Sequence, residues 1–285
     1  MDYIEERGDF VLRHQGDQCV LEKYRGPGGG VTVPEDVTEI GSFAFNQCIA
    51  LTGVVLPKGV TAIGLGAFRG CACLTGLVLP PSLREIGPMA FTCCASLTHM
   101  ELPQGVRELG SGAFHGCLDL KTLVLPRGMR TIGGNLLGPW HKTKVCGIVP
   151  LMMEGCRIGP STLEALLDAQ WTGEDDFFEA AAAYLGSGRR SVMERAQARL
   201  CTNTGWAVEV LADLLSTYPT ARHFAKGAEF VKHQAPDLWP EAFETFRGLA
   251  RAAGRRKALR RLEALVRDVP SSAAEEKSCF NGADR

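Results

Sequence analysis

The apolar positions of the chain follow two rhythms, one after the other. Up to about residue 140 they recur on a fixed step, with proline at Pro34, Pro57, Pro80, Pro103 and Pro126, each 23 residues after the last. Ahead of each proline runs a stretch such as Leu74-Thr-Gly-Leu77-Val-Leu79, whose alternation is that of a short half-buried strand. Proline ends it because it has no N–H to continue a ladder. Three residues after each proline stands Val37, Val60, Leu83, Val106 or Met129, and three further on Ile40, Ile63, Ile86, Leu109 or Ile132, each followed by a glycine that is expected to permit a turn. Phe45, Phe68, Phe91 and Phe114 come next, then Cys48, Cys71, Cys94 and Cys117. One such unit buries too little to offset the backbone entropy it loses, whereas stacked units shield one another. The pattern predicts a solenoid of five coils, with the phenylalanines and the cysteines each forming a column inside it.

Beyond Trp140 this step stops and the apolar positions take the spacing of helices. Lys144–Val149 reads as a closing strand ended at Pro150. Ser161 reads as the cap of a first helix carrying Leu163, Leu166 and Leu167. Further stripes run through Phe177–Leu185, Val192–Leu200, Val208–Leu215, Phe224–Val231, Leu238–Leu249 and Leu259–Val266. The expected organisation is a capping hairpin over 1–30 turning at Gln15-Gly16-Asp17, a solenoid over 31–140, a closing strand and linker over 141–160, a helical domain over 161–268, and a disordered tail over 269–285. The fold class is α+β: a β-solenoid followed by an all-α domain.

The motif Leu-x-x-Leu/Val-x-Leu-Pro followed by Val-x-x-Ile-Gly-x-x-Ala-Phe-x-x-Cys, as in Leu74–Cys94, resembles the BspA-like, or Treponema-type, bacterial leucine-rich repeat over about residues 31–138. The resemblance implies a right-handed solenoid with a parallel sheet on one side, and by analogy a non-catalytic scaffold for protein recognition. Many relatives are exported surface proteins. This chain starts without the basic and apolar segments of a signal peptide, and is expected to be cytoplasmic.

The phase of the repeat also says which side chains face out. One strand column reads Gly30, Gly53, Gly76, His99 and Thr122, and the other Thr32, Val55, Val78, Glu101 and Val124. Valine suits any strand, and the strip could be covered by the rest of the chain. Left open to solvent, it is a partner-binding surface, with Val55, Val78, His99, Glu101 and Val124 as candidates. A further column, Thr38, Thr61, Arg84, Arg107 and Arg130, is expected to be compensated by Glu85 and Glu108.

Composition narrows the classes of function. Of the 285 residues 45% are hydrophobic and 22% charged, and a formal net charge of −1 disfavours a dedicated binder of nucleic acid or anionic membrane. No segment approaches the length of an apolar membrane span. The eleven cysteines, odd in number, read as reduced thiols. Gly64-Leu-Gly66-Ala-Phe-Arg-Gly70 is one residue too long for a dinucleotide loop and recurs in every unit. Cys71, Cys73, Cys93 and Cys94 point in different directions by the repeat phase, so they are not expected to bind metal, and no metal or cofactor is expected anywhere in the chain. The six histidines show no zinc-protease spacing, and no catalytic residues stand out. The run Arg251–Arg261, six cations without an acid, reads as a solvated helix face. The partner expected is therefore a protein. The alternative is an enzyme or anion-binding activity in the helical half, with the solenoid as reader of substrate or partner.

Overall fold

The computed structural model describes residues 2–137, 143–159, 161–162 and 175–267. The helix expected after Ser161, with Leu163, Leu166 and Leu167, and the tail over 269–285 lie outside them. The described residues fall into two compact units, divided between Ala196 and Gln197.

The first unit opens with strands β1 (Tyr3–Arg7), β2 (Phe10–Gln15) and β3 (Gln18–Tyr24), an antiparallel meander turning at Gly8 and Gly16, both with φ of +59°. The expected hairpin is β2–β3, and β1 lies outside the sequence reading. Strand β3 then starts a parallel stack with β5 (Glu39–Ile40), β7 (Ala62–Ile63), β9 (Glu85–Ile86), β11 (Glu108–Leu109), β13 (Thr131–Ile132) and β15 (Arg157–Ile158), so that cap and coils share one nine-stranded sheet. On the opposite side of each coil, β4 (Gly29–Thr32), β6 (Leu51–Val55) and β8 (Gly76–Val78) form one parallel sheet. Strands β10 (His99–Glu101), β12 (Thr122–Val124) and β14 (Lys144–Cys146) form another. No ladder joins β8 to β10, so this front surface is split after the third coil.

Inside the coils the expected columns are present. Phe45, Phe68, Phe91 and Phe114 are fully buried, with successive ring centroids 5.0, 5.4 and 5.3 Å apart and planes within 10° of parallel. Tyr24 of the cap continues the stack at 5.2 Å from Phe45. The thiols of Cys71, Cys94 and Cys117 donate to the carbonyls of Phe45, Phe68 and Phe91 in the preceding coil at 3.1, 3.2 and 3.0 Å. Burial raises these thiols, Cys71 and Cys117 to about 12. They fill space and close backbone hydrogen bonds.

Three sequence expectations are corrected. First, a turn does follow the glycine after each Ile/Leu, but the turn is not what demands glycine. A Cβ on Gly64, Gly87, Gly110 or Gly133 would lie 2.2–2.8 Å from backbone of the preceding coil, so close stacking is what demands glycine there. Second, Pro150 does not end the closing strand. Gly147, at φ of +87°, ends it, and Pro150 sits in the first turn of helix α1 (Ile148–Glu154), where a missing N–H costs nothing. With β14 paired to β12 and β15 to β13, this segment adds a sixth turn to the expected five. Third, Ser161 caps the solenoid as well as standing at a helix start. Its Oγ accepts from Asn135 N–H at 2.8 Å, and Thr162 Oγ1 accepts from Leu136 N–H at 3.1 Å. In earlier coils the N–H equivalent to that of Asn135 bonds to the next coil's carbonyl, as Gly112 N–H does to Gly134 O, whereas the N–H equivalent to that of Leu136 bonds within its own coil, as Ala67 N–H does to Gly64 O. The Ser161 hydroxyl therefore takes the place that a carbonyl of the next coil holds in the earlier ones.

Helix α2 (Asp175–Gly186) packs on α1 closely enough that a Cβ on Gly186 would meet Met152 O at 2.4 Å, and α3 (Arg190–Leu200) runs across the division between units. The second unit holds α4 (Thr204–Thr217), α5 (Ala221–Gln234), a 3₁₀ turn at Pro236–Leu238, α6 (Trp239–Ala252) and α7 (Arg256–Arg267). Asn203 and Thr220 cap α4 and α5 by accepting from Trp206 N–H and His223 N–H. The core is Leu211, Leu215, Phe224, Phe230, Phe246 and Leu262, all 1% exposed or less. These helices lie on the apolar stripes of the sequence, whose residues are buried or half-buried except Val266, which is exposed.

Candidate functional site

The front strands carry the residues picked out by the repeat phase, because a strand alternates sides and the coil interior claims one of them. Within β6 and β8, Val54 and Leu77 turn inward, while Val55 and Val78 are 60% and 80% exposed. The two valines are register partners in adjacent strands, so their side chains form one apolar patch. Glycine sits beside them at Gly30, Gly53 and Gly76, also in register, which leaves the patch unshaded. His99 and Glu101 on β10 are exposed, while Val124 on β12 is half-buried beside Cys146. The structure brings Val55 with Val78, and His99 and Glu101 with Thr122 and Val124, but splits these two groups at the break between β8 and β10.

The opposite sheet holds the arginine column, and here the expected compensation by glutamate is not formed. Arg84 donates to the carbonyls of Pro81 and Leu83, and Arg107 to those of Gln104 and Val106. Arg130 and Arg157 continue the column through backbone bonds between coils. Among the described residues none of the four forms an ion pair, although Glu85 and Glu108 stand next to Arg84 and Arg107 in sequence. The guanidinium groups reach back to turn carbonyls and away from the strands that carry the acids.

The other sequence candidates separate as expected from their phase. Cys71 and Cys94 are buried, whereas Cys73 and Cys93 are exposed, so the four sulfurs do not converge on a metal. Gly66 and Gly70 have φ of +57° and +74° and shape the turn of their coil. No helix among the described residues is long and apolar enough to cross a membrane.

The family model of the BspA type leucine-rich repeat region matches residues 29–138 in six copies. The solenoid is a BspA-type leucine-rich repeat. Among solved structures, the leucine rich repeat protein of T. pallidum is similar at 29% identity, with 54% of this chain and 85% of that one covered and a TM-score of 0.45. A leucine rich cell surface protein from Faecalibacterium prausnitzii is similar at 24% identity over 56% of this chain and 43% of that one, with a TM-score of 0.47. A leucine-rich repeat protein from Bacteroides capillosus is similar at 25% identity over 42% of this chain and 96% of that one, with a TM-score of 0.39. No curated protein matches the chain.

Proposed function

We propose that this leucine-rich repeat protein is a non-catalytic scaffold that binds a protein partner on the outward face of its front strands. The observation that carries the reading is the pair Val55 and Val78, adjacent in register and 60% and 80% exposed. Valine on a strand needs no explanation, but two of them side by side and open to water are a contact patch without cover. His99, Glu101 and Val124 extend the contact onto the second front sheet. The interior thiols act as hydrogen-bond donors, a role that needs them reduced, and this favours a reducing compartment such as the cytoplasm.

The test is capture of the partner by the immobilised chain, compared with Val55→Asp/Val78→Asp and with Arg107→Glu/Arg130→Glu on the opposite sheet. The valine variant is expected to lose capture while its unfolding midpoint stays within a few degrees, since exposed substitutions change stability by about 0.5 kcal/mol or less. Equal capture by wild type and valine variant, with loss in the arginine variant, moves the binding face to the other sheet.

A second reading has its own observation. Arg251, Arg255, Arg256, Lys257, Arg260 and Arg261 are all exposed, and none is ion-paired among the described residues, which suits an acidic partner of the helical unit. Retention on an anionic resin, reduced in Arg256→Glu/Arg260→Glu, measures it.

A further inference from the structure

The capping meander gathers a set of metal-binding donors that the repeat pattern does not contain. His14 lies on β2, Cys19 on β3, and Asp36 in the first coil, and their ligand atoms all lie within 4.8 Å of one another. A fourth donor adjoins them, since Glu5 Oε2 is 2.8 Å from His14 Nε2. Imidazole, thiol and carboxylate converging from three segments differ in kind from the column cysteines, whose buried thiols donate to carbonyls of the preceding coil.

The cluster already holds a cation. Arg7 donates to Glu5 Oε1 and Oε2 at 2.8 Å and to Asp36 Oδ1 and Oδ2 at 2.7 and 3.1 Å, bridging the two carboxylates. One guanidinium there faces two carboxylates. The Arg7 side chain is 42% exposed on a strand at the sheet's edge, so it can swing into solvent without unpacking the core.

The geometry points to a zinc site formed by His14, Cys19 and Asp36, with Glu5 or water as the fourth ligand and Arg7 as the group it displaces. Ligands about 2.0–2.3 Å from a tetrahedral zinc ion lie roughly 3.5 Å apart, so the donors need close by only about an ångström through side-chain rotation. One sulfur, one nitrogen and one or two oxygens suit zinc better than magnesium or calcium, which take oxygen alone. On binding, the Cys19 S–H bond breaks, its proton leaves to water, and the sulfur's electron pair forms the bond to zinc, with no change of oxidation state. Because His14 and Cys19 belong to the cap and Asp36 to the first coil, the ion would staple one to the other. This inference is independent of the proposed partner face.

The full chain is titrated with zinc alone and with cobalt(II), whose visible bands report tetrahedral coordination and whose near-ultraviolet band reports a thiolate ligand. One equivalent is expected to bind, with both cobalt signatures and a rise in unfolding midpoint. Cys19→Ser should weaken binding about 100-fold or more and remove the thiolate band. Arg7→Ala should tighten it about tenfold, because a competing positive charge leaves. Should Cys19→Ser unfold the cap, as judged by circular dichroism, His14→Gln at the half-buried face of β2 provides the same comparison. Binding undiminished in Cys19→Ser and His14→Gln, or no tightening in Arg7→Ala, would overturn the assignment.

Discussion

A single thiol in this protein takes its chemistry from its place in the coil. Cys71, Cys94 and Cys117 are buried, donate to a carbonyl of the coil before, and are held far above the usual thiol range by burial. Cys73, Cys93 and Cys201 are exposed. Since the thiolate is the reacting species, alkylation of the native chain at pH 8 followed by mass spectrometry should label the exposed Cys73 and Cys93 quickly, and Cys201, whose thiol burial raises, more slowly. Cys71, Cys94 and Cys117 should react only after unfolding. Fast labelling of Cys94 would show that the column is open to solvent. The phenylalanine and cysteine columns were legible in the sequence because a period repeated five times averages away local accidents. The role of Gly87 was not, since its constraint is the backbone of another coil 23 residues away, and periodicity does not say what touches what. The cluster of His14, Cys19 and Asp36 was equally hidden, because it lies where the period has not yet begun and depends on the register of β2 with β3.

Successive coils are less alike than their sequences suggest, and the difference appears at the level of the turn. Phe43 and Met89 have φ of +59° and +53°, and the equivalent positions between and after them are Gly66 and Gly112. A Cβ on Gly66 would lie 2.5 Å from the Phe43 ring, and one on Gly112 3.5 Å from Met89 Cγ. Four residues on, Gln47 lies over Gly70 and Cys93 over Gly116 in the same way. The first and third coils therefore carry left-handed side chains that cover glycines in the second and fourth, so over these four coils two coils make the packing unit. Gly66→Ala should destabilise by about 1–3 kcal/mol, the sum of a left-handed alanine and the ring it meets. In a Phe43→Ala background the cost should shrink to the backbone part, with a coupling of about 0.5–3 kcal/mol in a double-mutant cycle read by denaturant unfolding. Additive costs would mean that the ring does not restrict the glycine. The break between β8 and β10 belongs to the same scale, and it gave no sign in the sequence, since Leu77 and Met100 occupy equivalent positions in equally regular units.

The two units differ in how they hold titratable groups, so the whole molecule should come apart in a definite order with pH. His223 is 6% exposed, with Nδ1 3.1 Å from Tyr218 O, and burial lowers its pKa, with Arg222 and Lys226 adding to the effect. The unfolded chain takes up this proton near pH 6.5, whereas the folded unit resists it. Its contribution is therefore complete above about pH 6.5 and is lost as pH falls towards the lower folded value. Lys226 is lowered to about 8, first by burial and then by Arg222. Between pH 8 and the unfolded value of about 10.4 the folded unit sheds a proton that the unfolded chain keeps, so stability rises with pH across that window. In the first unit the hydrogen bonds of Arg7 lower Glu5 and Asp36, and that contribution disappears only as pH falls through carboxylate values near 4 or below. Hydrogen-exchange protection factors, with intrinsic rates divided out, should therefore fall in α4–α7 between pH 7 and 5 while β5–β13 keep theirs. They should rise in α4–α7 between pH 8 and 10. His223→Gln should flatten the acid limb and Lys226→Met the alkaline one. Protection in α4–α7 that is constant from pH 7 to 5 would mean that His223 is as easily protonated in the fold as out of it, and that the helical unit is looser around α5 than its packing indicates.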